Sequence, residues 1–139
     1  MKFLLIGVAL MISAPVFAES LPMKRPVAGS CVETVLPGGA RGLYCVPEQG
    51  WNGDVIVFAH GYTPVTAPLD YQNLTFGEVY LPELTQQLGY AFATTTYRQN
   101  GLTIVEGVED VRELVQGFRA ATGRRAERFI MTGASEGGI

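Results

Sequence analysis

The sequence contains few of the residues that metal, redox and nucleic-acid sites require. Its 139 residues include one histidine and two cysteines, and neither a Cys-x-x-Cys pair nor a zinc-ligand spacing occurs. Charged residues amount to 17%, the formal net charge is −3, and no stretch is strongly basic. We therefore expect no metal site, no cofactor and no nucleic-acid partner.

The N-terminus has the pattern of a secretory signal peptide. A lysine at position 2 precedes a nearly unbroken apolar run over 3–12, and 13–18 places small residues where a signal peptidase cleaves. A membrane anchor is the alternative, but the run is short for a hydrocarbon core of about 30 Å. The sequence predicts a signal peptide over 1–18 and a mature domain over 19–139, secreted or periplasmic, without a membrane segment.

The two cysteines, Cys31 and Cys45, flank a turn-forming stretch centred on Gly38. Two strands folded about this turn would place the cysteines opposite each other, and export permits a disulfide. Closing such a loop stabilises a domain by about 3 kcal/mol in the chain-entropy model. We expect a Cys31–Cys45 disulfide, with two unpaired buried thiols as the alternative.

Beyond this hairpin, apolar strands alternate with helical patterns. The predicted strands are two hairpin arms at 31–35 and 43–46 and three further strands at 54–59, 90–96 and 128–132. Two helices are predicted, a short one that begins near residue 82 and a longer one over 106–122. Strands that alternate with helices predict a mainly parallel α/β sheet with helices on both faces.

The longer helix has both an apolar stripe and an acidic start. The stripe consists of Val108, Val111, Leu114, Val115 and Phe118. Glu106, Glu109 and Asp110 occupy the first turns and are expected to form a solvated face.

After the last strand the sequence reads Gly133-Ala-Ser135-Glu-Gly137-Gly138. This Gly-x-Ser-x-Gly pattern is typical of a strand that turns sharply into a helix, with the serine at the apex. Glycine is needed at the first and last positions of the pattern because strand and helix approach closely there. A chance match in a glycine-rich chain is the alternative, but the preceding apolar strand favours a nucleophile at Ser135.

An oxyanion site is predicted beside this serine. The backbone N–H of Glu136 begins the following helix, and the backbone N–H of Tyr62 follows a His60-Gly61 turn at the end of another strand. Such N–H groups stabilise the negative charge that develops when a serine attacks a carbonyl carbon.

The carboxyl ends of the strands are where ligands bind in an open α/β sheet. Tyr62, Tyr97 and Arg98 follow such strand ends and are candidates for a substrate pocket. Arg98 would suit an anionic substrate group; a structural role for this arginine in its loop is the alternative.

On these motifs the chain resembles the N-terminal half of an α/β-hydrolase from about Cys31 onward. The secreted esterase and prolyl-oligopeptidase-like branch is the most similar, through Tyr-Arg-x-x-Gly at 97–101, Glu-Asp-Val at 109–111 and Gly-x-Ser-x-Gly-Gly at 133–138. The resemblance implies that Ser135 accepts the acyl group of a small ester or peptide substrate, with Tyr62 and Glu136 as oxyanion donors.

The family's acid and histidine follow the nucleophile in chain order, and no residue here matches them. The only histidine, His60, occupies the family's His-Gly turn, which does not supply the base. We therefore expect a partial α/β-hydrolase domain that stops just after the serine turn and is inactive alone. The alternatives are that His60 is the base of a shortened enzyme, or that the chain is a degenerate hydrolase-like protein with a binding role or none.

Overall fold

The computed structural model describes residues 31–139, so the predicted signal peptide lies outside the described residues. In chain order the elements are β1 (Cys31–Val35), β2 (Arg41–Cys45), β3 (Asp54–Ala59), β4 (Thr75–Phe76), β5 (Val79–Tyr80), α1 (Leu81–Gln87), β6 (Ala91–Thr95), α2 (Ile104–Thr122), β7 (Arg128–Gly133) and a 3-10 helix (Ser135–Gly138). The strands and helices lie where the sequence predicts them, and the short β4–β5 pair is an addition.

Five strands form one mixed sheet in the order β1-β2-β6-β3-β7. β3 runs parallel to β6 and β7, whereas β2 runs antiparallel to both β1 and β6. β2 is therefore the only strand of the sheet that runs in the reverse direction. The carboxyl ends of β3, β6 and β7 consequently lie at the same end of the sheet. The predicted site residues follow these strand ends.

The sheet carries helices on both faces, as the alternation of elements predicted. On one face, Val55, Val57 and Ala93 of the sheet share a core with Leu114 and Phe118 of α2. On the other face, Phe58 and Phe92 pack with Leu81 of α1. Successive residues of a strand point to opposite faces, so the apolar run over 55–59 of β3 contributes to both cores.

The Cys31–Cys45 disulfide is confirmed. The two cysteines face each other in the register of β1 and β2, and their sulfur atoms are bonded. The bond closes the open end of the hairpin, where β1 is the exposed edge strand of the sheet. The disulfide therefore holds an edge strand that is paired on one side only.

The apolar stripe of α2 is rotated relative to the prediction. Val108 is 63% exposed, and the predicted stripe residues Val111 and Val115 are only partly buried. The fully buried positions of α2 are Gly107, Asp110, Leu114 and Phe118. The prediction was wrong for Val108 because hydrophobicity alone does not place a glycine and an aspartate on the buried face.

An ion pair joins the first residues of β3 and β7, at the amino end of these parallel strands and therefore at the end of the sheet opposite the predicted site. The guanidinium of Arg128 donates two hydrogen bonds to the carboxylate of Asp54, at 2.9 and 2.6 Å. Asp54 is buried, and the hydrogen bond from Arg128 holds its pKa below the ordinary value of 3.8. The pair therefore stabilises the folded chain only while Asp54 is ionised.

This ion pair is expected to contribute to loss of stability in acid. Because the pKa of Asp54 is lower in the folded chain than in the unfolded chain, its stabilisation is complete above about pH 3.9 and is lost as pH falls through the lowered value. The urea midpoint of Asp54→Asn should therefore fall less than that of the wild type between about pH 5 and about pH 2.5. Glu48→Gln, which removes an exposed carboxylate, is the control. An unchanged acid dependence in Asp54→Asn would contradict the assignment.

Candidate active site

The serine turn has the backbone geometry that its sequence pattern predicts. β7 ends at Gly133, Ala134 is the single linking residue, and Ser135 begins the 3-10 helix. Its φ is 54°, in the left-handed region that residues with a side chain rarely adopt. Ser135 is itself exposed to solvent. Strained backbone of this kind persists only where the surrounding structure enforces it.

Two of the predicted glycines enforce this geometry. A Cβ atom on Gly133 would overlap the carbonyl group of Gly137, and a Cβ on Gly137 would overlap the carbonyl group of Ala59. Gly138 differs, because a Cβ there would meet only the carbonyl oxygen of Gly133, at 3.9 Å. The first two glycines are therefore sterically required, and the third is not.

The end of β3 lies against the serine turn. A Cβ on Gly61 would lie 3.1 Å from the Cβ of Ser135, so the His60-Gly61 turn and the serine are in direct contact. Tyr62 is the next residue along the chain, and its side chain is exposed. Within residues 31–139, neither the N–H of Tyr62 nor that of Glu136 is paired with a hydrogen-bond acceptor. The structure thus places Gly61, the residue before Tyr62, against Ser135, which Glu136 directly follows.

His60 is buried and is engaged by its own neighbours. Its Nδ1 lies 2.7 Å from the carbonyl oxygen of Gly61, and its ring lies against the ring of Tyr97 with centroids 4.0 Å apart. A carbonyl oxygen can only accept, so Nδ1 carries the proton. The ring makes no hydrogen bond to Ser135 among the described residues. Its geometry does not support the alternative in which His60 is the base.

Tyr97 is buried and packs against His60. Its hydroxyl donates to the carbonyl oxygen of His60 at 3.1 Å. Burial, with the nearby charges of Glu136 and Asp110, raises the pKa of Tyr97 to about 12. Its ring borders a cavity of about 400 Å³ between α2 and β7. The hydroxyl is thus a neutral donor held by the protein itself.

Arg98 is held by α2. Its Nε and backbone N–H donate to the carboxylate of Asp110 at 2.8 and 2.7 Å, and Glu113 lies 3.7 Å from its guanidinium. The hydrogen bond to Asp110 also raises the pKa of Arg98. The guanidinium lies directly beside Gly38 in the β1–β2 turn. This placement favours the structural role for Arg98 over contact with a substrate.

The prediction of a solvated acidic face was wrong for Asp110, whose side chain has no exposed surface. A signal was present in the sequence. Asp110, Leu114 and Phe118 are spaced four residues apart, so the aspartate lies on the same helix face as two core residues. A carboxylate in such a position needs a partner, and the arginine after β6 is that partner.

The side chain of Glu136 has a structural role that the sequence did not indicate. Its Oε1 accepts a hydrogen bond at 2.9 Å from the backbone N–H of Thr103, the residue that caps the N-terminus of α2. In a local capping box, the side chain of a glutamate three residues later in the sequence accepts a hydrogen bond from this N–H. Here the glutamate comes from the serine turn, 33 residues away. Glu136 thus fastens the serine turn to α2, and no local pattern predicts such a contact.

Removal of this contact should have a modest, specific cost. Glu136→Ala leaves the Thr103 N–H without its acceptor and should lower the free energy of unfolding by about 1 kcal/mol, the size of an N-cap effect. Glu136→Gln retains an acceptor oxygen and should lose less than half of that. Urea unfolding of both variants measures the difference, and equal losses would show that the hydrogen bond is not the stabilising feature.

Between residues 31 and 139, no three histidine, cysteine or acidic side chains converge as metal ligands would. Over the same residues, no helix combines the length and the hydrophobicity needed to cross a membrane.

No protein-family model and no curated protein matches the sequence. Four solved chains match the structure, one of them an acylaminoacyl peptidase from Pyrococcus horikoshii. That likeness has a TM-score of 0.56 and 24% sequence identity over 77% of this chain and 19% of the peptidase chain. The chain thus spans about a fifth of the peptidase's length. At this identity the likeness establishes a shared fold: an α/β fold compatible with that of the α/β-hydrolases.

Proposed function

We propose that Ser135 is the nucleophile of a serine hydrolase that cleaves small esters or peptides. The observation that carries this proposal is the strained backbone of Ser135, which two sterically required glycines hold against the end of β3. Strain of this kind gathers at functional sites because it presents a side chain in a fixed direction. The shared fold with a peptidase supports the same reading.

In the proposed reaction, the Oγ of Ser135 bonds to the carbonyl carbon of the substrate and its proton passes to a base. The carbonyl oxygen becomes an oxyanion, which the N–H groups of Tyr62 and Glu136 stabilise. The bond to the leaving alcohol or amine then breaks, and the base returns its proton to that group. Water cleaves the remaining acyl ester in the same two steps and frees Ser135.

The described residues supply the nucleophile and the oxyanion donors but not the base. His60 is the only histidine of the chain, and its Nδ1 is bound to the carbonyl group of Gly61. We therefore place the base and the catalytic acid outside these 139 residues. We further propose that the protein is exported, because a disulfide such as Cys31–Cys45 forms and persists in oxidising compartments outside the cytoplasm.

This division of the site has a direct kinetic test. With p-nitrophenyl acetate, the 139-residue chain should release at most one slow equivalent of nitrophenolate through Ser135 and should then stop, because no base promotes deacylation. Ser135→Ala should remove that equivalent and leave the background rate unchanged. Continuous turnover that depends on Ser135 would overturn the proposal that the base lies elsewhere and would make His60 the candidate again.

A further inference from the structure

The lone histidine has a definite contact that the proposed reaction does not use. The three residues His60, Gly61 and Tyr62 separate β3 from Thr63. The carbonyl oxygen of Thr63 accepts a hydrogen bond at 2.9 Å from the N–H of Gly101, which fixes the backbone again at this point. Of these three, only His60 has a buried side chain, because Gly61 has none and that of Tyr62 is 56% exposed. His60 is therefore the residue through which the protein interior holds this turn.

The contact of His60 fixes the peptide group that bears one oxyanion donor. The carbonyl of Gly61 and the N–H of Tyr62 belong to the same peptide unit, which is planar and trans. In a trans peptide the carbonyl and the N–H point in opposite directions. The Nδ1–H of His60 binds that carbonyl at 2.7 Å, so it also sets the direction of the Tyr62 N–H.

Tyr97 in turn holds His60 at two points. Its ring covers the imidazole with centroids 4.0 Å apart, and its hydroxyl binds the His60 carbonyl oxygen at 3.1 Å. Tyr97 itself is fixed in a left-handed backbone conformation, with φ of 56°. The backbone N–H of the following Arg98 is bound to Asp110 of α2, which anchors this conformation to the helix.

We propose that Tyr97 and His60 are positioning residues, which together aim the Tyr62 N–H at the oxyanion of the substrate. The chain of contacts runs from α2 through Tyr97 and His60 to the Gly61–Tyr62 peptide. This inference rests on the function proposed above, in which that N–H is an oxyanion donor. It gives the single histidine a role in orientation and none in proton transfer.

The test measures the mobility of the Tyr62 N–H in the 139-residue chain by ¹⁵N relaxation. In the wild type its order parameter should be about 0.85, the value of rigid backbone, and in Tyr97→Phe it should fall toward about 0.6. The Nδ1–H signal of His60, the only imidazole in the chain, should broaden or be lost in the same variant. Tyr44→Phe is the matched control, because Tyr44 is also buried and its hydroxyl donates to a backbone carbonyl, that of Leu114, away from the site.

A second pair of variants tests the histidine directly and does not depend on Tyr97. An asparagine places its amide nitrogen where Nδ1 of a histidine lies, whereas a glutamine places it where Nε2 lies. His60→Asn should therefore keep the Tyr62 N–H rigid, and His60→Gln should release it. A merely structural role would make both substitutions equally harmful.

The outcomes separate this inference from the proposed function. An unchanged order parameter for Tyr62 in Tyr97→Phe and in His60→Gln would overturn the positioning role, whatever the reactivity of Ser135. A rigid Tyr62 N–H in a chain whose Ser135 cannot be acylated would leave the positioning contacts in place and overturn the proposed hydrolase function instead.

Discussion

Gly137→Ala is expected to lower the free energy of unfolding by about 4 kcal/mol or more, which is among the largest effects of a single substitution. The added Cβ would overlap the carbonyl group of Ala59 and the carbonyl oxygen of His60, at 2.6 Å. Both obstacles are backbone atoms, which cannot rotate away as the end of a side chain does. The end of β3 and the serine turn would have to separate, and the site would be lost with them.

The adjacent glycine provides the control for this substitution. A Cβ on Gly138 has open space around it apart from one ordinary contact at 3.9 Å, so Gly138→Ala should cost little. Urea unfolding followed by the fluorescence of Trp51, the only tryptophan, measures both variants on one scale. Equal midpoints for the two variants would contradict the close approach of β3 and the serine turn.

Arg98→Met is expected to have the second large effect, a fall in the urea midpoint well beyond that caused by the loss of an exposed ion pair. Asp110 is fully buried, and without the guanidinium its carboxylate would lose the Nε hydrogen bond at 2.8 Å and its opposite charge. An uncompensated buried charge is costly because the low-dielectric interior does not solvate it. Methionine keeps most of the side-chain length, so the loss measures the charge and its hydrogen bonds.

Another arginine offers a matched comparison on the same protein. Arg112 lies on α2, is 66% exposed and approaches Glu109 only to 4.0 Å, so Arg112→Met should change stability by less than about 1 kcal/mol. Paired removal in Arg98→Met with Asp110→Leu should recover part of the loss, because no buried charge then remains unpaired. Additive losses in the double variant would contradict the coupling of Arg98 and Asp110.

The order of strands and helices could be predicted from sequence because it depends on local patterns. The run of apolar residues in β3 identifies an interior strand without any knowledge of its neighbours. The disulfide was predictable for a similar reason, since Cys31 and Cys45 are equally distant from the turn that pairs their strands. The Gly-x-Ser-x-Gly pattern likewise encodes a strand, a turn and a helix within a few residues.

The contacts that hold the site together could not be predicted in this way. Glu136 binds the N–H of Thr103 across 33 residues, and Asp110 binds Arg98 at the far end of a loop, so neither partner is visible in a local window. The buried aspartate did leave a periodic signal on α2, which hydrophobicity alone hides. For His60, the sequence places the residue at the end of a strand, and only the structure shows which ring nitrogen is bound and by what.

The most direct test of the account is the site and rate of acylation. The 139-residue chain would be treated with p-nitrophenyl acetate, folded and in urea, and the acetyl groups mapped by mass spectrometry. If the turn and the N–H groups of Tyr62 and Glu136 form a site, Ser135 should be acetylated in the folded chain on the order of 10²-fold faster than in the unfolded chain, the size of an oxyanion-donor effect. Equal rates of Ser135 acetylation in the folded and unfolded chains would show that the fold carries no nucleophile site.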